Sequence, residues 1–268
     1  MKFLTRDEKI LLRIKKHYDY VCEKYGSEHI LGVFLYGSQN YHFDSINSDV
    51  DTKAIYIPDI DELVDLRQPL SKELHYEDEH IEVKDIREMC KMWKKQNMNF
   101  LEILFTSYCV INPLYAATFK RWFLDIREDI VDYDVIKMID STVGQIKGTI
   151  RGINSEDKDK GKKIANCLRL ISFLKRFLDK REPYEKAMVI PEEDKETFYE
   201  IKYYFEKILN TEKDVVSDCI DFIEKECEVI NKNKMFFENS ERQDFVNRCF
   251  IEGTKRLIMS LNYMEFKR

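Results

Sequence analysis

The chain has 268 residues, with 44 Lys and Arg against 50 Asp and Glu, a formal net charge of −6, and 44% hydrophobic residues. It carries 8 glycines and 5 prolines, where average usage would give roughly 30 together, which excludes collagen-like and linker-rich chains and points to a helix-rich fold. The acidic balance weighs against a protein that coats nucleic acid through bulk charge.

Thr5 and Glu8 are spaced as a capping box, and Ile10, Leu11, Ile14, Tyr18, Val21 and Cys22 follow at helical spacing, so a first helix is expected to stop at Gly26. Ile30 to Tyr36 is short, apolar and rich in strand formers, and reads as a buried strand closed by Gly37-Ser38. A polar stretch follows, and a second strand is expected from Asp49 to Ile57, ended by Pro58. Asp61 to Leu66 gives a helical hint, and alternation marks His80 to Lys84 as a third strand. From about Ile86 the 3.6-residue period takes over, with helices expected around 89–93, 100–105, 113–122, 134–153, 161–180, 191–209, 212–232 and 240–264. Strands in front and helices behind give an α+β fold: a small mixed β-sheet domain over 1–115 and an all-helical domain over 116–268. No run of about twenty apolar residues suggests a membrane span, and the charged start from Met1 to Glu8 is not that of a signal peptide. The seven cysteines (Cys22, Cys90, Cys109, Cys167, Cys219, Cys227 and Cys249) are odd in number and widely spaced. They are expected to be reduced core residues of a cytoplasmic protein.

The chemistry is concentrated between residues 36 and 53. Gly37-Ser38 at the end of a buried strand gives a tight turn whose N–H groups and hydroxyl suit a phosphate. Asp49 and Asp51, two apart on an expected strand, send both carboxylates to one face, and Lys53 shares it. Two convergent carboxylates beside a phosphate cradle are what divalent-metal phosphoryl or nucleotidyl transfer requires. Asp-x-Asp also occurs at 59/61, 132/134 and 157/159, so the pair alone is no signal. Only Asp49 and Asp51 lie on an expected strand soon after a strand-terminal Gly-Ser.

With these residues in place the chain resembles the DNA polymerase β-like nucleotidyltransferases. The finer resemblance is to a bacterial and phage-borne branch that includes members associated with RNA-repair pathways. Tyr36-Gly37-Ser38-Gln39-Asn40-Tyr41 is similar to the branch's Tyr-Gly-Ser-x-Asn-Tyr motif, and Ser48-Asp49-Val50-Asp51 with Lys53 to its Ser-Asp-x-Asp and nearby lysine. Asn97 to Phe105 is similar to its asparagine-rich Leu-Glu-x-Leu-Phe helix start. The resemblance, which spans roughly residues 30–180, implies a polymerase β palm-like first domain and a helical substrate-binding or lid domain. It implies two Mg²⁺ ions, with Mn²⁺ as a substitute, on Asp49, Asp51 and a third carboxylate. Glu82 is the best match for that third group, with Asp78, Glu79 and Asp85 as rivals. An NTP such as ATP would be bound by Gly37, Ser38, Asn40, Tyr41 and Lys53. Two positions depart from the family: His42-Phe43 stands where a glycine usually follows Asn-Tyr, and Ala54 replaces a glycine after Asp-x-Asp-x-Lys. Glu102, an acid in the first turn of a helix, reads as structural.

The segment 147–181 holds eleven Lys and Arg against four acids, a net +7 that leaves −13 for the rest. Lys162, Asn166, Arg169 and Arg176 follow one helical stripe, and by resemblance Arg169 would approach the triphosphate or the acceptor. The expected activity is transfer of a nucleoside monophosphate from an NTP to a hydroxyl with pyrophosphate release, an EC 2.7.7 type of reaction. The preferred acceptor is an RNA end. A small-molecule or protein adenylyltransferase is the alternative enzyme, and a nucleotide-binding regulatory module of a toxin–antitoxin or defence pair is the alternative of another class. The helical stripes of the last hundred residues, Tyr199 to Ile208 and Val215 to Ile223, read as core. Met259, Leu261, Tyr263, Met264 and Phe266 read either as packing or as a homodimer contact.

Overall fold

A computed structural model describes residues 5–44, 48–155, 159–179, 181–204, 213–237 and 241–265. Helix α1 (Arg6–Tyr25) starts with the expected capping box: the Thr5 hydroxyl accepts from Glu8 N at 3.3 Å, and Glu8 Oε2 accepts from Thr5 N at 2.7 Å. It stops at Gly26, and its inner face is Ile10, Ile14, His17 and Val21, packed against strand β1 (Ile30–Leu35). All of β1 is buried, as suits the middle of a sheet covered on both faces.

β1 pairs antiparallel with β2 (Thr52–Tyr56), and β2 runs parallel to a strand over Glu79–Asp85. That strand, β4, is joined by a hairpin to β3 (Ser71–Tyr76), and β5 (Cys109–Ile111) adds antiparallel to β1. The order is β3-β4-β2-β1-β5, a five-stranded mixed sheet, and the α+β expectation holds.

Three local expectations change. The second strand begins at Thr52, so Asp49 and Asp51 lie on the approach to it rather than within it. β3 is an exposed edge strand whose Lys72, Glu73 and His75 hide any apolar pattern. β5 interrupts the helical run after Ile86 and is too short for a period to show.

Two compact units are present among the described residues. One comprises residues within 1–40, 44–133 and 240–268, the other those within 41–43 and 134–239. Besides the sheet and α1, the first unit contains α2 (Ile60–Val64), α3 (Ile86–Lys94), α4 (Met98–Leu101), α5 (Pro113–Phe119), a π-helical turn (Lys120–Leu124) and α6 (Arg127–Val131).

The second unit contains α7 (Val135–Ser155), α8 (Lys160–Leu178), α9 (Tyr184–Met188), α10 (Lys195–Tyr199) and α11 (Lys213–Asn233). Helix α12 (Gln243–Glu265) returns to the first unit. There the Trp93, Phe123 and Phe250 rings pack with centroids 5.6 to 6.0 Å apart. The second unit is centred on α8, whose Ile164, Cys167, Ile171 and Leu174 are buried. Phe205 and Ile208 of the expected core stripe, and Phe266 of the carboxyl-terminal one, lie outside the described residues.

Arg176 belongs to this packing: it binds Glu182 Oε2 at 2.6 Å and the carbonyl of Lys186 at 3.0 Å, closing the end of α9. All seven cysteines are free, four of them buried. No helix of the described residues is long and apolar enough to cross a membrane.

Candidate active site

Gly37 leaves β1 with φ +84, a left-handed backbone that glycine adopts without steric cost. A Cβ at this position would stand 3.5 Å from Asp51 Oδ2, so the turn and the Asp51 carboxylate face each other. The turn is fixed by Asn40 N donating to the Gly37 carbonyl at 2.9 Å. Residues 38–42 continue as turns rather than a helix, so the Gly-Ser donors act without a helix dipole. The Asn40 side chain is buried, and its Nδ2 has no hydrogen-bond partner among the described residues. A buried amide donor left open beside this turn suits a phosphate or base oxygen. His42, where the resemblance implies a glycine, takes φ +57, so the backbone there keeps a glycine-like shape.

Asp49 and Asp51 are held through their backbone. Val50 is fully buried between an exposed Asp49 and a half-buried Asp51, so both carboxylates turn away from the core. Gln39 Nε2 donates to the carbonyls of Ser48 and Asp49, each at 2.9 Å. Tyr36 N donates to the Asp51 carbonyl at 3.1 Å. Val50 N donates to Glu79 Oε1 at 3.0 Å, and the same carboxylate pairs with Arg13. Glu79 is thereby a clamp on the aspartate segment.

The β2–β4 register sets Lys53 beside Glu82, and directly paired residues point to the same face of a sheet. Lys53, 3% exposed, binds Glu82, and Lys84 holds the other Glu82 oxygen at 2.8 Å. The Lys53 ammonium also sits 3.8 Å from the Tyr36 ring centroid and 4.2 Å from that of Phe100, a cation–π cage. Burial pulls the Lys53 pKa below its ordinary value, only partly answered by Glu82 and Glu102. Burial alone would raise Glu82; the charges and hydrogen bonds of Lys53 and Lys84 outweigh it and hold the carboxyl below its ordinary value. Glu102, 3% exposed, accepts from Gly37 N at 3.3 Å, tying the turn to the 3₁₀ segment after α4.

In the second unit, the Arg169 guanidinium stacks 3.9 Å over the Tyr41 ring and binds Asn166 Oδ1 through Nη2 at 3.1 Å. Arg169 is buried, and its Nη1 has no partner among the described residues. Other cations of the same segment are already engaged, Lys175 by Glu226 and Arg176 by Glu182.

Mg²⁺ is typically bound by one or two carboxylates, with substrate phosphates and water completing its shell. Asp49 and Asp51 fit that donor set. Glu82 is not gathered with them: its oxygens are taken by Lys53 and Lys84. No group of three Asp, Glu, His or Cys side chains among the described residues stands ready to hold a metal. Arg13, Gln39, Glu79 and Glu102 carry much of the positioning, and only Glu79 (as a rival ligand) and Glu102 (as a structural acid) are singled out by the sequence. Arg13 and Gln39 sit outside any motif position of fixed chemistry, so no local signal marks them.

A search of the curated proteins finds no match to the chain. Residues 6–199 match the RNA repair pathway DNA polymerase beta family, RlaP. That span takes in the sheet, the Gly37 turn, the Asp49–Asp51 segment and α8, and the chain belongs to the RNA repair pathway DNA polymerase beta family.

Proposed function

We propose that the chain is a divalent-metal-dependent nucleotidyltransferase that moves a nucleoside monophosphate from an NTP to the terminal hydroxyl of an RNA, releasing pyrophosphate. The observation that carries this reading is the meeting of the left-handed Gly37 turn with the Asp51 carboxylate, whose Oδ2 lies 3.5 Å from where a Cβ on that glycine would stand. Donors for a triphosphate and a carboxylate for its counter-ion then lie within one loop pair. The family's RNA-repair description and the +7 segment of 147–181 support an RNA acceptor.

In this reading Ser38 and Asn40 Nδ2 bind phosphate oxygens, and Asp49 and Asp51 hold Mg²⁺ or Mn²⁺. When bound, the metal neutralises phosphate charge and lowers the pKa of the acceptor hydroxyl. Lys53 turns from Glu82 to the triphosphate, which keeps its positive charge partnered throughout. Glu82, freed on the same face, takes the acceptor's proton as the acceptor oxygen bonds to the α-phosphorus. The bond from that phosphorus to the bridging oxygen breaks, and pyrophosphate leaves with the electron pair.

The test is pyrophosphate release by the full chain with each NTP and Mg²⁺ or Mn²⁺, with and without RNA. Asp49→Asn and Asp51→Asn are each expected to lower the rate by at least about 100-fold with an unchanged circular dichroism spectrum. Wild-type rates in either variant would sink the assignment. Release that is indifferent to RNA but stimulated by a small alcohol or a protein hydroxyl would reassign the acceptor.

A further inference from the structure

The π-helical turn at Lys120–Leu124 is a rare geometry that often marks functional positions. It presents Arg121, exposed, and Trp122, half-buried. The Arg121 guanidinium lies 5.4 Å from the Trp122 ring centroid, and Arg256 of α12 lies 5.3 Å from the same ring. Two cations thus share one indole, and neither has a carboxylate partner among the described residues. Both guanidiniums lie within 5.4 Å of one ring centroid, a local positive charge that favours an anion. From Arg256 the exposed stripe of α12 continues through Met259 (67% exposed) to Tyr263 (62% exposed). Arg256 and Tyr263 are thus about 10 Å apart along the axis. Arg256, Met259 and Tyr263 line one side of an open cleft of about 490 Å³, and Thr118 of α5 lines the other. Glu252 also lines it, with its carboxylate held by Lys255 at 3.0 Å. All of these residues belong to the first unit, and α12 lies beyond the span 6–199 that the family matches.

We propose that this surface binds single-stranded RNA: Arg121 and Arg256 take a phosphate against the Trp122 ring, and Tyr263, with Met259 beside it, stacks a base. Cations that track a backbone, set beside an exposed aromatic ring, are how proteins bind single strands without reading sequence. That the strand is RNA rests on the reading of the acceptor given above.

The experiment is fluorescence anisotropy of the full chain with a labelled single-stranded RNA of about 12 nucleotides over a salt series. Arg121→Gln with Arg256→Gln is expected to reduce the slope of log K against log salt by about 1.4, or 0.7 for each cation removed from the phosphate. Tyr263→Ala is expected to weaken binding by about 5- to 150-fold with the slope unchanged. Unchanged affinity and slope in the surface variants, or no binding by the wild type, overturns the proposal. So does concentration-dependent self-association that Tyr263→Ala abolishes while RNA binding persists, because the stripe is then a protein interface. Pyrophosphate release separates this from the catalytic reading. Release lost in Asp49→Asn, with RNA binding indifferent to Arg121, Arg256 and Tyr263, removes the surface and keeps the enzyme. RNA binding that depends on those residues, with no release from any NTP, keeps the surface and removes the enzyme.

Discussion

The His17 ring is fully buried, with Thr52 Oγ1 2.9 Å from Nδ1 and a Glu79 oxygen 2.9 Å from Nε2. Burial, then the neighbouring Arg13 charge, pull its pKa down from 6.5 to about 4; the Glu79 charge that would oppose this is already answered by Arg13. The folded chain therefore prefers the neutral ring, and the unfolded chain takes up the proton first. The resulting stabilisation is complete above about pH 6.5 and is lost as the pH falls toward 4, a loss of order 2–3 kcal/mol. Urea unfolding of the wild type and His17→Asn across pH 4 to 7 checks this, since their difference should shrink on acidification. A difference that stays constant contradicts it. At this scale the sequence shows residues whose chemistry is local. Gly37 announces a turn because only a strand-ending glycine-serine pair sits there, and Asp49 and Asp51 stand out by their spacing. Glu79 is legible as an acid near a strand, but its work is not, because its partners Arg13, His17 and Val50 lie far along the chain.

Gly32 sits in the middle of β1, where a Cβ would come within 2.7 Å of the Val110 carbonyl oxygen and 3.2 Å of Ile111 Cα. Both are backbone atoms of β5 and cannot rotate aside. Gly32→Ala should therefore force β5 off the sheet edge at a cost of about 1–3 kcal/mol. An exchange at an accommodating site would instead stabilise by roughly half a kcal/mol or more. Chemical denaturation measures it, and a variant as stable as the wild type would show that β1 and β5 do not pack this closely. β1 and α1 are readable because apolar pattern and capping residues agree. β3 and β5 are not, since an edge strand lives by pairing with β4 through its backbone, and a three-residue strand has no period. The helix expected over 191–209 is broken in the structure into α10 and a π turn over Glu200–Tyr204, a change of hydrogen-bond step that the apolar spacing does not record.

For the molecule as a whole, the return of α12 to the first unit has the largest consequence for stability. Phe250 packs on Trp93 and Phe123, so a chain ended after residue 239 leaves an aromatic face of the first unit uncovered. Its unfolding free energy should fall by more than the roughly 3–5 kcal/mol that one buried Phe is worth. The chain has two tryptophans, Trp93 and Trp122, and both lie in the first unit. Tryptophan fluorescence, excited selectively so that tyrosine does not contribute, therefore reports that unit during urea unfolding, and an unshifted midpoint in the truncated chain would refute the expectation. Composition and periodicity cannot show this return, because α12 looks like one more amphipathic helix after several others. The same connectivity has a consequence in time. A ribosome completes residues 44–133, then makes the whole of 134–239 before the helix that covers Phe123 exists, an interval of about 5–20 s at ordinary elongation rates. During that interval the second unit can fold from its own residues while the first waits with its aromatic face open. The order of synthesis thus sets how long a nascent chain is exposed to chaperones and to its neighbours.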